Sequence, residues 1–181
     1  MKKKQDLKGL TRNELIKWFS ENNFKGFRGK QVFNWLYKNG VNQIKDMKNL
    51  PDSLIDQLNN VSQITNIKQL NKKSADDGTV KYLWQLEDNE TVESVYLPYY
   101  RDGRNSVCIS SQVGCNMKCK FCATGLSGLK RNLTTAEIVD QVLKIQENIS
   151  IDEFGQPRIS NVVFMGMGEP LANIDNVLKA I

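Results

Sequence analysis

The sequence predicts an α/β fold in three parts: a small helical domain at residues 1–65, antiparallel strands at 66–110, and the start of a parallel α/β unit at 111–181. Three observations support this prediction. Apolar side chains recur at helical spacing near the N-terminus, and from about Asn66 they alternate with polar ones. After these strands, a loop, a helix, a strand, a glycine turn and a helix follow in the order that parallel α/β units use.

The helical domain begins with a helix-start signal. Thr11 and Glu14 form a capping box ahead of an apolar stripe. Two further helices are predicted, from Gly29 to Lys38 and from Pro51 to Asn60, because each segment places its apolar side chains on one face. These stripes predict the core of a compact domain.

Charge is distributed unevenly along the chain. Residues 1–73 hold 15 Lys or Arg against 6 Asp or Glu, a net charge of +9, whereas residues 74–181 hold 10 against 14, a net charge of −4. The basic N-terminal part indicates either an RNA-binding module or a lysine-rich solvated face. No apolar run approaches the roughly 20 residues of a membrane span, and no leader is evident, so we expect a cytoplasmic protein.

The strand region has period-two alternation and turn signals between its segments. Antiparallel strands are predicted at residues 66–72, 79–86, 91–97 and 105–110. A second capping box, Thr134 with Glu137, then begins a helix. A buried strand is predicted at 159–164, and the glycine turn 166–170 leads to another helix near Asn173.

The four cysteines are concentrated between residues 108 and 122. Cys115, Cys119 and Cys122 have the spacing C-x3-C-x2-C, which allows one short loop to hold a 4Fe-4S cluster with three thiolates and one open iron. The alternative is a structural zinc site in which Cys108 supplies the fourth sulfur. Phe121 favours the cluster, because an aromatic residue before the last cysteine is typical of radical S-adenosylmethionine (SAM) enzymes.

Three long strings indicate a more specific resemblance. They are CISSQVGC at 108–115, KFCATG at 120–125 and FMGMGEPLAN at 164–173. With these strings the chain closely resembles the RlmN/Cfr family of RNA methyltransferases, and Val113 and Pro170 are more similar to the RlmN branch. The resemblance implies an incomplete (β/α)6 barrel, of which this chain would be the N-terminal part.

The resemblance also implies the cofactors and the reaction. One 4Fe-4S cluster would be bound by the three loop cysteines, and S-adenosyl-L-methionine would be bound at Gly168 and Glu169. The reaction would be methylation of C2 of adenine in 23S rRNA and in the tRNA anticodon loop, through a methyl-cysteine intermediate. The implied partners are these RNAs and an external flavodoxin-like electron donor, and the protein is expected to be a monomer.

The resemblance further implies that the reaction passes through a covalent protein–RNA adduct. Two further residues match the family positions that act on this adduct. Glu93 matches the proton acceptor, and Cys108 matches a thiol that forms a transient disulfide with the methyl-carrying cysteine. By alternation Glu93 shares a strand face with Val95 and Leu97, and on an apolar face its carboxyl pKa would be raised. The methyl-carrying cysteine would lie beyond Ile181, so this chain alone is expected to be inactive.

Two other functions stay open. One is a zinc-stabilised RNA-binding module without catalysis, and the other is a radical enzyme that acts on a small molecule or a protein. The identity of the metal separates the first from an RNA-methylating enzyme. The contribution of the basic domain to RNA affinity separates the second function from an RNA-methylating enzyme.

Overall fold

The computed structural model describes residues 4–99, 104–149 and 158–181. The chain divides into two compact units, Met1–Asn66 and Ile67–Ile181. No helix in the described ranges has both the length and the apolar character that a membrane span requires.

The N-terminal unit is helical. Its elements are β1 (Gln5–Asp6), α1 (Arg12–Glu21), α2 (Gly26–Tyr37), a 3₁₀ turn (Ile44–Asp46), α3 (Asp52–Val61) and β2 (Ser62–Gln63). The two short strands pair in parallel. The predicted capping box is confirmed: Thr11 Oγ1 accepts the Glu14 backbone N–H, and the Glu14 carboxylate accepts the Thr11 N–H. The core consists of buried apolar side chains, namely Leu7, Leu15, Phe19, Val32, Leu36, Ile44, Met47, Leu50 and Leu58.

Helix α2 begins three residues before the predicted start at Gly29. Gly29 lies where the α1 and α2 backbones meet, since a Cβ atom there would lie 2.9 Å from the backbone of Ile16. The glycine therefore permits close packing of two helices and does not mark a helix end.

The C-terminal unit is built on a five-stranded sheet. The strands of the unit, in chain order, are β3 (Lys68–Ser74), β4 (Val80–Gln85), β5 (Thr91–Tyr99), β6 (Arg104–Cys108), β7 (Gln112–Gly114), β8 (Leu129–Asn132) and β9 (Asn161–Val163). β7 and β8 form a separate two-stranded sheet. The sheet order is β3-β4-β5-β6-β9, in which β3 to β6 are antiparallel and β9 is parallel to β6. The four predicted antiparallel strands are confirmed, and their ends differ by at most two residues from the prediction.

The helices of this unit are α4 (Ala123–Leu126), α5 (Thr135–Asn148) and α6 (Ile174–Ala180), and a 3₁₀ turn (Pro170–Asn173) precedes α6. The predicted capping box at Thr134 and Glu137 is confirmed. Strand β9 was expected to be buried, but Val162 is 43% exposed. β9 pairs with β6 on one side, and no other strand in the described residues pairs with it.

The two faces of the sheet have different environments. One face, which we call the covered face, packs into the main core with α5 and carries Tyr82, Trp84, Val92, Ser94 and Val107, all of them buried. The other face, which we call the open face, carries Lys81, Leu83, Glu93, Val95 and Cys108, which are partly or largely exposed. Alternation along each strand and direct pairing between strands define these two sets.

Candidate active site

The cysteine loop is closed at its base by a short hairpin. Strands β7 and β8 pair with a bulge at Val113 and Gly114, and the backbone N–H of Cys115 donates to the Gly128 carbonyl oxygen at 3.1 Å. Gly114 has a φ of +75°, and a Cβ atom there would lie 1.8 Å from the Gly128 oxygen. Only glycine fits this close approach.

The three loop cysteines differ in environment. Cys115 is buried, Cys119 is exposed and Cys122 is half-buried. Hydrogen bonds from the backbone N–H groups of Gly125 and Thr124 lower the pKa of the Cys122 thiol. A lowered pKa favours the thiolate, which is the form that binds metals.

The structure does not bring the three thiols together. Across residues 4–99, 104–149 and 158–181, no group of three Cys, Asp, Glu or His side chains lies close enough to hold a metal ion. All four cysteines are free thiols, and no disulfide pair is found among them. The donor set still fits an iron–sulfur cluster, because one short loop offers three soft thiolate ligands and no competing imidazole or carboxylate.

The glycine turn packs against the segment that leads into the cysteine loop. Ser110 Oγ accepts the backbone N–H of Met167 at 2.8 Å and donates to the Glu93 carbonyl oxygen at 2.6 Å. A Cβ atom on Gly166 would lie 2.7 Å from the same hydroxyl and from the Ile109 oxygen. One serine hydroxyl therefore joins the turn to the strand that carries Glu93.

Gln112 holds the second half of the turn. Its Oε1 accepts the Glu169 backbone N–H at 2.9 Å, and its Nε2 donates to Asn132 Oδ1 at 2.8 Å. Gly168 has a φ of +97°, and a Cβ atom there would lie 2.5 Å from the Gln112 Cβ. The Glu169 carboxylate caps the following 3₁₀ turn by accepting the Leu171 N–H at 3.0 Å. Gly168 and Glu169 thus lie beside the strand that runs into the cysteine loop.

Two buried amide side chains, Gln141 and Asn173, hold the backbone of residues 110–111 in place. Gln141 accepts hydrogen bonds from Ser94 Oγ and the Ser110 N–H, and it donates to the Ser110 carbonyl oxygen, at 2.7, 2.9 and 3.0 Å. Asn173 Nδ2 donates to the carbonyl oxygens of Ser111 and Leu133, both at 2.8 Å. Sequence reasoning missed both amides as individual residues, although Asn173 ends one of the three specific strings.

Glu93 and Cys108 lie on the open face of the sheet. Val95 and Cys108 are direct partners in the pairing of β5 with β6, and alternation places Glu93 on the same face as Val95. The expected apolar environment of Glu93 is wrong. Its carboxylate contacts Lys81 Nζ at 2.9 Å, and the two side chains are 43% and 50% exposed. The reason is that α5 covers the opposite face of β5, which carries Val92 and Ser94.

Cys108 is half-buried and is not paired with another cysteine. Burial raises the pKa of its thiol, and a hydrogen bond from the Met165 backbone N–H partly opposes this effect. A raised pKa lowers the fraction of Cys108 that is thiolate near neutral pH.

Comparisons with known proteins give the family. A model described as "Ribosomal RNA large subunit methyltransferase N-terminal domain" matches residues 5–64, and the "Radical SAM superfamily" model matches residues 109–181. The "Dual-specificity RNA methyltransferase RlmN" of Geobacter sulfurreducens is 43% identical over 97% of this chain and 46% of its own length. The chain is thus similar to the RlmN family of radical SAM proteins along nearly its whole length.

Other RlmN relatives have the same relation to this chain. The "Probable dual-specificity RNA methyltransferase RlmN" of Chloroherpeton thalassium is 45% identical over 98% of the chain and 49% of its own length. A crystal structure of a radical SAM methyltransferase from Sphaerobacter thermophilus superposes with a TM-score of 0.86 at 33% identity, over 97% of this chain and 50% of that one. The chain spans about half the length of the curated relatives it matches, and its α/β fold agrees with the radical SAM neighbour.

Proposed function

We propose that the full-length protein methylates C2 of adenine in 23S rRNA and in the tRNA anticodon loop with SAM as the methyl source. The observation that carries this proposal is the placement of the glycine turn against residues 109–112, between Glu93 on one side and the cysteine loop on the other. The names of the RlmN relatives, which describe dual-specificity RNA methyltransferases, support RNA as the substrate.

The cofactor roles that we propose are those that the family resemblance implies. Cys115, Cys119 and Cys122 would hold a 4Fe-4S cluster, which when bound supplies the electron that cleaves SAM to a carbon radical. The turn at Gly168 and Glu169 would bind the methionine end of SAM, as the family resemblance implies. Gly166 and Gly168 allow its backbone to pack closely against residues 109–112. Gln112 and Ser110 would keep that turn in place through the hydrogen bonds to Glu169 and Met167.

Glu93 and Cys108 would act on the covalent protein–RNA intermediate. Glu93 would accept the proton from C2 of the adenine. The Cys108 thiol would lose its proton and attack the sulfur of the methyl-carrying cysteine to form a disulfide. The bond from that sulfur to the new methylene carbon would break, and the electron pair left on the carbon would take up a proton to complete the methyl group. By the resemblance, the four cysteines of this chain match other positions of the family, so the 181 residues alone would be inactive.

The remaining parts of the proposal concern partners and location. The helical domain at residues 1–65 would bind RNA, consistent with its positive charge and with the description of the family model that matches residues 5–64. An external flavodoxin-like protein would supply electrons. The enzyme would work as a monomer in the cytoplasm.

Metal and sulfide analysis after anaerobic reconstitution tests this function first. We expect about four irons per chain with matching acid-labile sulfide, and an electron paramagnetic resonance signal of the reduced protein that changes when SAM is added. Cys119→Ala should abolish the cluster, whereas the matched control Cys108→Ala should retain it. Zinc without sulfide would refute the proposal and would favour a zinc-stabilised RNA-binding module.

The reaction itself is tested with the full-length protein. Incubation with a tRNA anticodon stem-loop, SAM and a reductant should yield 2-methyladenosine, detected by nucleoside mass spectrometry. Glu93→Gln should accumulate a protein–RNA adduct, because the C2 proton is not removed. An intact cluster together with no change to any RNA would indicate a radical enzyme that acts on another class of substrate.

A further inference from the structure

Three lysines lie on the open face of the sheet near Glu93. Lys81 on β4 contacts the Glu93 carboxylate at 2.9 Å. On β3, Lys73 is the register partner of Lys81, and Lys68 is the register partner of Gln85. Directly opposed residues share a face, and Gln85 and Lys81 share a face because they are four residues apart on β4. All three lysines therefore project from the open face.

A β-bulge makes this arrangement possible. Lys68 and Lys73 are five positions apart, and in a regular strand an odd separation places two side chains on opposite faces. The register between β3 and β4 shifts between Gln69 and Asn71, so one extra residue is inserted there. The bulge therefore places both lysines on the face that carries Glu93 and Cys108.

The charge arrangement is unfavourable for folding. Like charges directly opposite each other destabilise a sheet, and Lys73 is opposed by Lys81. Glu93 offsets the charge of Lys81, but no acidic side chain in the described ranges forms an ion pair with Lys73. β3 is exposed along its whole length, so these ammonium groups are available to a polyanion.

We propose that Lys68, Lys73 and Lys81 bind the phosphate backbone of the substrate RNA and direct the target nucleotide toward Glu93 and Cys108. Gln85 and Lys81 are four residues apart, so the backbone positions of the three lysines span about 13 Å along the sheet. A row of that length can contact more than one phosphate of a single strand. This inference rests on the proposed function, because it takes the RNA substrate from it.

The position of the row favours RNA over an acidic electron donor. Glu93 and Cys108 act on the RNA adduct in the proposed reaction, and the row lies on their face. An electron donor must approach the cluster, and the cysteine loop has its own exposed lysines, Lys118 and Lys120. The row on β3 and β4 is therefore assigned to RNA.

The test uses the full-length protein with Lys68→Gln and Lys73→Gln, singly and together. Lys81 is left unchanged because it contacts Glu93. The dissociation constant for a tRNA anticodon stem-loop is measured at several KCl concentrations. Each variant should reduce the slope of log affinity against log salt by about 0.7, and the double variant by about 1.4. The KM for RNA should rise while kcat is retained.

Lys72→Gln is the matched control. Lys72 lies on the same strand, but it is paired with Tyr82 on the covered face, and its Nζ lies 5.7 Å from the centre of that ring. We expect its salt slope to equal that of the wild type. Urea unfolding of every variant checks that the fold is retained.

Three results would overturn the inference. The first is an unchanged slope in the double variant while the wild type binds and methylates RNA. The second is an equal loss in Lys72→Gln, which would show a non-specific charge effect. The third is slower SAM cleavage with a flavodoxin donor but not with dithionite, which would assign the row to the electron donor. A wild type that neither binds nor methylates RNA would refute the proposed function itself.

Discussion

Replacing Gly114 with alanine should open the base of the cysteine loop, and Gly128→Ala is a closely matched control. Both glycines have positive φ, +75° and +68°, so alanine at either position costs about 1–2 kcal/mol in backbone strain. Only at Gly114 does the new methyl group meet an obstacle, the Gly128 carbonyl oxygen at 1.8 Å. A Cβ atom on Gly128 would meet nothing within 4 Å.

Relief of the contact at Gly114 requires a backbone shift of more than an ångström. That shift breaks the hydrogen bond from Cys115 N–H to the Gly128 oxygen, which contributes about 1 kcal/mol. Overpacking adds about 1–3 kcal/mol. Gly114→Ala should therefore be less stable than Gly128→Ala by about 2–4 kcal/mol.

The assay combines urea unfolding with iron content after anaerobic reconstitution. We expect Gly128→Ala to bind nearly the wild-type amount of iron and Gly114→Ala to bind much less, because Cys115 directly follows the displaced residue. Equal stabilities and equal iron contents in the two variants would refute the reasoning, since strain from positive φ would then be the whole effect.

Three further predictions concern single side chains. Gln141→Leu should lower the free energy of unfolding by roughly 3 kcal/mol in urea titrations, because it leaves the buried Ser110 backbone groups without partners. The hydrogen bond from Arg131 holds the pKa of Asp88 below its usual range, so this pair stabilises the fold above about pH 4 and its contribution disappears as pH falls through the lowered pKa. Stability of Arg131→Gln should therefore depend less on pH below 4 than that of the wild type. Burial raises the pKa of Cys108, so with the other cysteines changed to serine, iodoacetamide should modify it more slowly at pH 8 in the folded than in the urea-unfolded protein.

Local signals in the sequence predicted most of the fold. Both capping boxes, at Thr11 and Thr134, begin helices as expected, since the reciprocal hydrogen bonds need only residues three apart. Strand alternation likewise located β3 to β6. The start of α2 was missed because Lys25, its N-cap, makes no side-chain capping bond, and Gly29 is explained only by contact with Ile16.

The environment of the site could not be read from alternation. The pattern of β5 correctly grouped Glu93 with Val95, but it could not tell which face α5 would cover. The side chains on both faces of β5 include apolar residues, so which face α5 covers depends on tertiary packing. The β7–β8 hairpin was also missed, because its three- and four-residue strands are too short to show a period.

The string at residues 108–115 was informative because its residues hold several parts of the candidate site together. Cys108 faces the open side of the sheet, and two residues later Ser110 holds the glycine turn to β5. Gln112 then holds the Glu169 amide, and Gly114 closes the base of the cysteine loop. The short segment from the end of β6 through β7 thus contacts β5, the glycine turn and the base of the cysteine loop. Because these contacts share one backbone, a displacement at any of them is transmitted to the others, and their effects should not be additive.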